Sequence, residues 1–232
     1  MITFNGTNIE TAVSGIMIED IRVNPIQLAP VARPRAILAG SDFVRVRDET
    51  RTIIVTFAIP TMDRDSRRAA LDALTEWACV GEVGALGLPN RDGRLIDAVC
   101  TVLPQPSMRQ WWENKLSLTF TAYDPYFYSS TEKSANCGTA FTVGGTAPPL
   151  MRIERTLSSS AINQSYSDGT NTMTFSTIPA GNMVIDLNRQ TATVGTTSLM
   201  VYFSNLSKFI LPRVGTLTIT GTGTVKYTER WR

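Results

Sequence analysis

The sequence predicts a mainly β chain: an N-terminal β domain with one α-helix over 1–130, a linker over 131–149, and a C-terminal β-sandwich over 150–232. Three observations predict it. KLSLTFTAY (115–123) alternates apolar and polar residues throughout, as a strand with one buried face must. One amphipathic helical stripe lies between Pro60 and Gly81. From about 129 the composition shifts to SSTEKSANCGTAFTVGGTAPP, rich in Ser, Thr, Gly and Ala, which reads as a linker. Beyond it, short apolar runs and closely spaced turns suggest a sandwich.

Taken in order, the chain up to Pro60 reads as β. GIMIEDIRV (15–23) has strand character, with neither face cleanly polar. NPIQLAPVARPRAILAGSDF follows, with prolines at 25, 30 and 34. Proline lacks the ladder N–H and restricts the residue before it, so this segment is not a central strand. It is not polar either: Ile26, Leu28, Val31, Ile37 and Leu38 need burial, on their own domain or on a neighbouring subunit. Strand signals resume at FVRVR (43–47) and RTIIVTFAI (51–59), where Ile53, Val55, Phe57 and Ile59 share a face.

The helix is predicted over about 63–80. Thr61 and Asp63 are candidate N-caps, Leu71, Leu74 and Ala78 form the stripe, Ala70 and Trp77 widen it, and Gly81 stops it. Strands are then expected around ALGLP, from Arg94 to Leu103 after the turn Asn90–Gly93, and over 115–123. In the second half, strands are expected near 150–157, 172–177, 183–187, 190–194, 199–203, 214–220 and 224–231, without a helix.

Composition excludes several functions. The net charge of +2 is too balanced to predict nucleic-acid or anionic-membrane binding. No apolar run has the ~18 residues of a membrane helix, and MITFNGTNIETAVSG offers no secretory signal. The three cysteines lack CxxC spacing and read as reduced, structural thiols of a cytoplasmically made protein. There is no histidine. That removes imidazole-based nucleophile systems and every His-containing metal site.

The remaining constellations have bland readings. Adjacent strand residues such as Trp111 and Trp112 point to opposite faces, so one suits core packing and the other an interface; a sugar-stacking role is the alternative. Asp63, Asp65 and Asp72 with Arg64, Arg67 and Arg68 fit a solvated helix with an acidic start. Asn90-Arg91-Asp92-Gly93 lacks the other ligands of a calcium loop. Asp168-Gly169-Thr170-Asn171 reads as a hairpin tip, and Arg33-Pro34-Arg35 is too short for nucleic acid on its own. DPYFY (124–128) ends a strand because Pro125 cannot donate to the ladder. Its aromatics Tyr126, Phe127 and Tyr128 read as a buried clasp, between domains or against the next subunit.

The ordered set of Phe4-Asn5-Gly6, a helix ending near Trp77, Pro89-Asn90-Arg91-Asp92-Gly93, Trp111 and Asp124-Pro125-Tyr126 resembles the distal tail (Dit) proteins of long-tailed, siphovirus-type bacteriophages over about residues 1–130. The second half matches through Ile185-Asp186-Leu187 and the turn into Thr191–Val194, similar to that family's small β-sandwich. The resemblance implies a tail-tube-like N-terminal domain and a homohexameric ring that joins the tail tube to the tail-tip or baseplate hub protein. It implies a virion tail location after assembly in the host cytoplasm, DNA only as passing cargo in a central channel, no membrane anchor, no cofactor and no enzyme activity. In the family an extended segment belts the neighbouring subunit, and residues 24–42 match it by position. The competing readings are a major tail-tube protein, a carbohydrate-binding module of a tail fibre using Trp111 or Trp112, and a hydrolase using paired carboxylates.

Overall fold

The computed structural model describes residues 1–34, 41–60, 63–78, 81–91, 93–104 and 115–232. The chain is mainly β and divides into two compact units, Met1–Phe127 and Tyr128–Arg232.

The first unit contains β1 (Thr3–Phe4), β2 (Thr7–Asn8), α1 (Ile9–Ala12), β3 (Met17–Val23), β4 (Leu28–Pro34), β5 (Ser41–Asp48), β6 (Arg51–Ala58), α2 (Arg64–Trp77), β7 (Val83–Gly87), β8 (Arg94–Val102) and β9 (Lys115–Ala122). Its antiparallel sheet runs β3-β6-β9-β8-β7-β1-β2. Within it β6 and β9 pair in a register that sets Ile53 beside Phe120, Val55 beside Leu118 and Phe57 beside Leu116. The expected alternation therefore produces one continuous apolar face, and all six side chains are buried.

α2 packs its buried residues against that core. Asp63 caps it, with Oδ2 accepting from the Ser66 N–H at 2.8 Å. Hydrogen bonds from the Ser66 side chain and, next, from its N–H hold the Asp63 carboxyl below the usual carboxylate range. The buried stripe runs Arg67, Leu74, Trp77 and Ala78, with Ala70 and Leu71 half-buried beside it, on the face that the sequence pattern predicts. Trp77 closes the packing: its ring centroid lies 5.9 Å from Phe4 and 6.2 Å, edge-on, from Phe120. Its indole N–H donates to the Thr7 carbonyl at 2.9 Å.

One short helix was not expected. α1 forms because Asn8 caps it, Oδ1 accepting from the Glu10 N–H at 3.2 Å. Just before it, Asn5 and Gly6 both take positive φ, 50° and 82°, in the two-residue turn between β1 and β2. That conformation explains the Asn-Gly pair of the FNG motif.

The second unit begins with the last residues of β10 (Phe127–Ser129) and continues through β11 (Lys133–Asn136), β12 (Ala140–Val143), β13 (Ala147–Leu157), β14 (Ala161–Ser167), β15 (Thr172–Ile178), β16 (Gly181–Asp186), β17 (Thr191–Val194), β18 (Thr197–Ser198), β19 (Gly215–Thr218) and β20 (Thr224–Trp231). One layer runs β18-β17-β16-β13-β20-β11; the pairs β14-β15 and β12-β19 supply the other. Met151, Ile153, Met183, Ile185, Val225 and Tyr227 of the first layer share a core with Phe141, Val143, Tyr166, Met173, Phe175 and Leu217 of the second.

Two expectations need correction here. Residues 131–149 hold β11 and β12, and the start of β13, instead of a linker: β11 pairs with β20, β12 with β19, and Phe141 and Val143 are buried. Their Ser, Thr and Gly neighbours sit on the solvent face, which is what made the stretch look unstructured. The strand expected over 199–203 is a 3-10 turn at Met200–Tyr202, with only Leu199 fully buried.

Glu229 ties this unit together. It is 7% exposed and accepts from the Lys133 ammonium and the Gly144 N–H, each at 2.8 Å. Burial alone pushes its carboxyl up, but the hydrogen bonds from Lys133 and Gly144 and the charge of Lys133 outweigh it, leaving it below the usual range. A carboxyl depressed on folding stabilises the fold above its unfolded pKa, and that contribution is lost as pH falls through the folded value. Glu229→Ala is expected to cost about 1–3 kcal/mol at neutral pH and to flatten the acid limb of the stability profile, both read from urea midpoints between neutral and acid pH.

Candidate assembly surface

The proline-punctuated segment forms half of a two-stranded ribbon. β4 pairs with β5 from Leu28↔Asp48 to Pro34↔Ser41, with a bulge between Val31 and Ala32, and the pair forms a sheet of its own. Pro30 and Pro34 are tolerated because each strand of such a ribbon has one unpaired edge. Asn24 and Gln27 anchor its base to Thr52 and Thr50 through backbone hydrogen bonds of 3.0 and 2.8 Å.

The register puts Leu28, Pro30 and Val46 on one face, with Val44 at the bulge; Ala29, Val31, Arg45 and Arg47 take the other. Leu28 is 61% exposed, Val44 56% and Val46 49%. An isolated two-stranded ribbon is marginal in water, and Leu28, Val44 and Val46 leave this one with exposed apolar side chains. Among the predicted belt residues, Leu28 is exposed while Ile26 and Val31 are half-buried. Ile37 and Leu38 lie outside the described residues. Val44 and Val46 escaped the sequence reading, because FVRVR shows an apolar face but not that nothing in its own unit covers it.

The DPYFY stretch is built around two guanidiniums. Phe127 is 0% exposed, and its ring has Arg51 at 5.2 Å on one approach and Arg91 at 4.9 Å on another. Arg51 is itself 5% exposed, and its Nε and Nη1 make no hydrogen bond. Burial, and next the charge of Arg91, push the Arg51 guanidinium down, while Asp48 and Tyr126 oppose this. The Tyr126 hydroxyl donates to Asp48, at the end of β5. Tyr126 and Phe127 thus bring together three segments of the first unit: the end of β5 at Asp48, Arg51 at the start of β6, and Arg91. Tyr128 is half-buried. The sequence reading named Arg91 only as part of the Asn90–Gly93 turn and did not name Arg51, since the two are far apart in the chain and meet only across the ring.

Trp77 is a core residue of the first unit, as its contacts above describe. Trp111 and Trp112 lie outside the described residues. Among the described residues no group of three His, Cys, Asp or Glu side chains is placed to hold a metal ion, and no helix is long and apolar enough to cross a membrane. Asp168 Oδ1 accepts from the N–H groups of Thr170 and Asn171 at 3.0 and 2.7 Å, and Oδ2 from Arg213 at 2.9 Å, so the hairpin tip is a satisfied Asx turn.

No protein-family model and no curated protein matches the sequence. Among solved structures, two from the activated baseplate of phage P2, with calcium and with strontium, align at 10% identity over 93% of this chain and 91% of theirs, with TM-scores of 0.37 and 0.36 that carry no argument. The SPP1 Dit protein, described as a paradigm of the hub adsorption apparatus in phages infecting Gram-positive bacteria, aligns with a TM-score of 0.73 at 15% identity, covering 100% of this chain and 98% of its own. The chain therefore resembles a siphophage distal tail protein in fold along its whole length.

Proposed function

We propose that this chain is a structural phage tail protein, six copies of which close a ring at the distal end of the tail tube and join it to the tail-tip or baseplate hub protein. The likeness in fold across both units to a tail hub protein carries the reading. The uncovered apolar face of the β4–β5 ribbon supports it, because a head-to-tail ring requires each subunit to offer its neighbour a repeated, non-self-complementary contact. In this role the ribbon is the belt: Ile26, Leu28, Val31, Ile37 and Leu38, joined by Val44 and Val46, cover the next subunit. Tyr126, Phe127 and Tyr128 close the ring-forming unit where the chain leaves it, and Trp111 and Trp112 contribute to packing or interface. The ring is assembled in the host cytoplasm, resides in the virion tail, and encloses a channel through which DNA passes as cargo. No step needs catalysis, a metal or a cofactor.

Two or three aliphatic side chains buried per contact contribute about 1.5–3 kcal/mol each, opposed by the entropy of association. Electron micrographs of the purified protein are expected to show single or paired rings. Long tubes would instead identify a tail-tube protein, whose rings stack without end.

A further inference from the structure

We propose that the pair of guanidiniums beside Phe127, Arg51 with Arg91, is a binding site for one small free oxyanion of the size of inorganic phosphate. The site belongs to the first unit and does not depend on the ring reading. Arg51 opens β6, and the alternation of that strand puts it on the inward face with Ile53, Val55 and Phe57. An arginine is almost never buried to this degree unless paired. This one is 5% exposed, yet its Nε and Nη1 make no hydrogen bond. Unpaired donors on a buried cation are strongly unfavourable.

The surroundings add a second cation. Arg91 lies 4.9 Å from the centroid of the ring that Arg51 approaches at 5.2 Å. The charge that opposes theirs at Arg51 comes chiefly from Asp48, whose carboxyl already accepts from the Tyr126 hydroxyl. Two positive charges thus meet one negative charge where water is scarce, and repulsion there is strong. The Phe127 ring offsets part of that charge but supplies no oxygen acceptor. A water would satisfy a donor and leave the charge. An oxyanion does both, and the planar guanidinium fork matches its oxygens. A free ion fits the burial better than a carboxylate of another chain, which would have to open the unit to reach Arg51. Arg91 is half-buried, so it is the member of the pair that meets solvent. A bound ion would fasten the end of β5, the start of β6 and Arg91 to one another at the base of the ribbon.

Inorganic phosphate is the probe. Titrated by calorimetry at fixed ionic strength into native protein dialysed free of it, phosphate is expected to fill one site per chain. The dissociation constant is expected to be about a millimolar or tighter, and the thermal midpoint should rise and then level off as the site fills. Arg91→Gln, with its fold checked by circular dichroism, is expected to weaken binding about tenfold or more through loss of one charged donor. Arg91→Lys keeps the charge and is expected to retain binding within about threefold of native. No saturable site in the native protein overturns the proposal, whether or not the variants fold. So does a saturable site that Arg91→Gln leaves unchanged. A midpoint that climbs without levelling, equally in native protein and Arg91→Gln, would be a general salt effect and overturns it as well. None of these outcomes bears on the ring reading.

Discussion

Replacing Leu28, Val44 and Val46 together by aspartate is expected to yield a folded monomer. The three side chains are 61%, 56% and 49% exposed in the single chain, so their substitution removes little intrachain packing. Polar substitutions at exposed sites of this kind usually change stability by under ~0.5 kcal/mol each. The ribbon keeps its backbone pairing and its anchors at Asn24 and Gln27. In the ring the same positions are buried on a neighbour, where an unpaired carboxylate is strongly unfavourable. Each subunit contributes the ribbon to one contact, so every contact of the ring is lost at once. The expected result is a melting temperature within a few degrees of that of unassembled native protein and no oligomer by analytical ultracentrifugation. An aspartate variant that still assembles would show that the ribbon is not the belt.

Phe127→Ala is expected to have the largest effect on the first unit itself. Truncating a fully buried phenylalanine costs about 3–5 kcal/mol through lost transfer energy and the cavity left behind. Here the loss is compounded by the groups around it. Arg51 is 5% exposed, and two of its nitrogens make no hydrogen bond, so the ring face is the principal interaction of that part of the guanidinium. Removing the ring leaves two like charges, Arg51 and Arg91, facing a void with Asp48 as the opposing charge that acts on Arg51. The cost is expected at the upper end of the range, read as a shift in urea midpoint. Phe127→Leu restores volume but not the π face and is expected to recover about half of it. A Phe127→Leu variant as stable as the native protein would mean that the guanidiniums contribute nothing beyond packing.

What the sequence shows clearly is one-sided burial in a sheet. β6 and β9 alternate so regularly that their shared face was readable before their register was known, and the helix announced itself by its cap and its stripe. What it hides follows from the same physics. β14 buries only Tyr166 in a run of polar residues, AINQSYS, so the alternation that marks a strand is nearly absent. β11 and β12 are short and half solvated, and their composition resembles a linker although β20 and β19 hold them in place. The 3-10 turn at Met200–Tyr202 shows the converse: apolar residues with strand propensity curl into a turn, and only Phe203 after it bridges to Phe175 of β15. For the assembly surface, the prolines of β4 revealed an unusual excursion, and its need for burial pointed to a neighbour. The valines of β5, and the meeting of Arg51 and Arg91 over Phe127, depend on long-range pairing that no local pattern encodes.

The central claim is that this chain acts as a closed ring, and its mass in solution tests that most directly. Light scattering on the purified protein is expected to return six times the 25.4 kDa of one chain, unchanged on dilution through the micromolar range. A mass equal to a single chain across that range, or one that rises without limit with concentration, would contradict it.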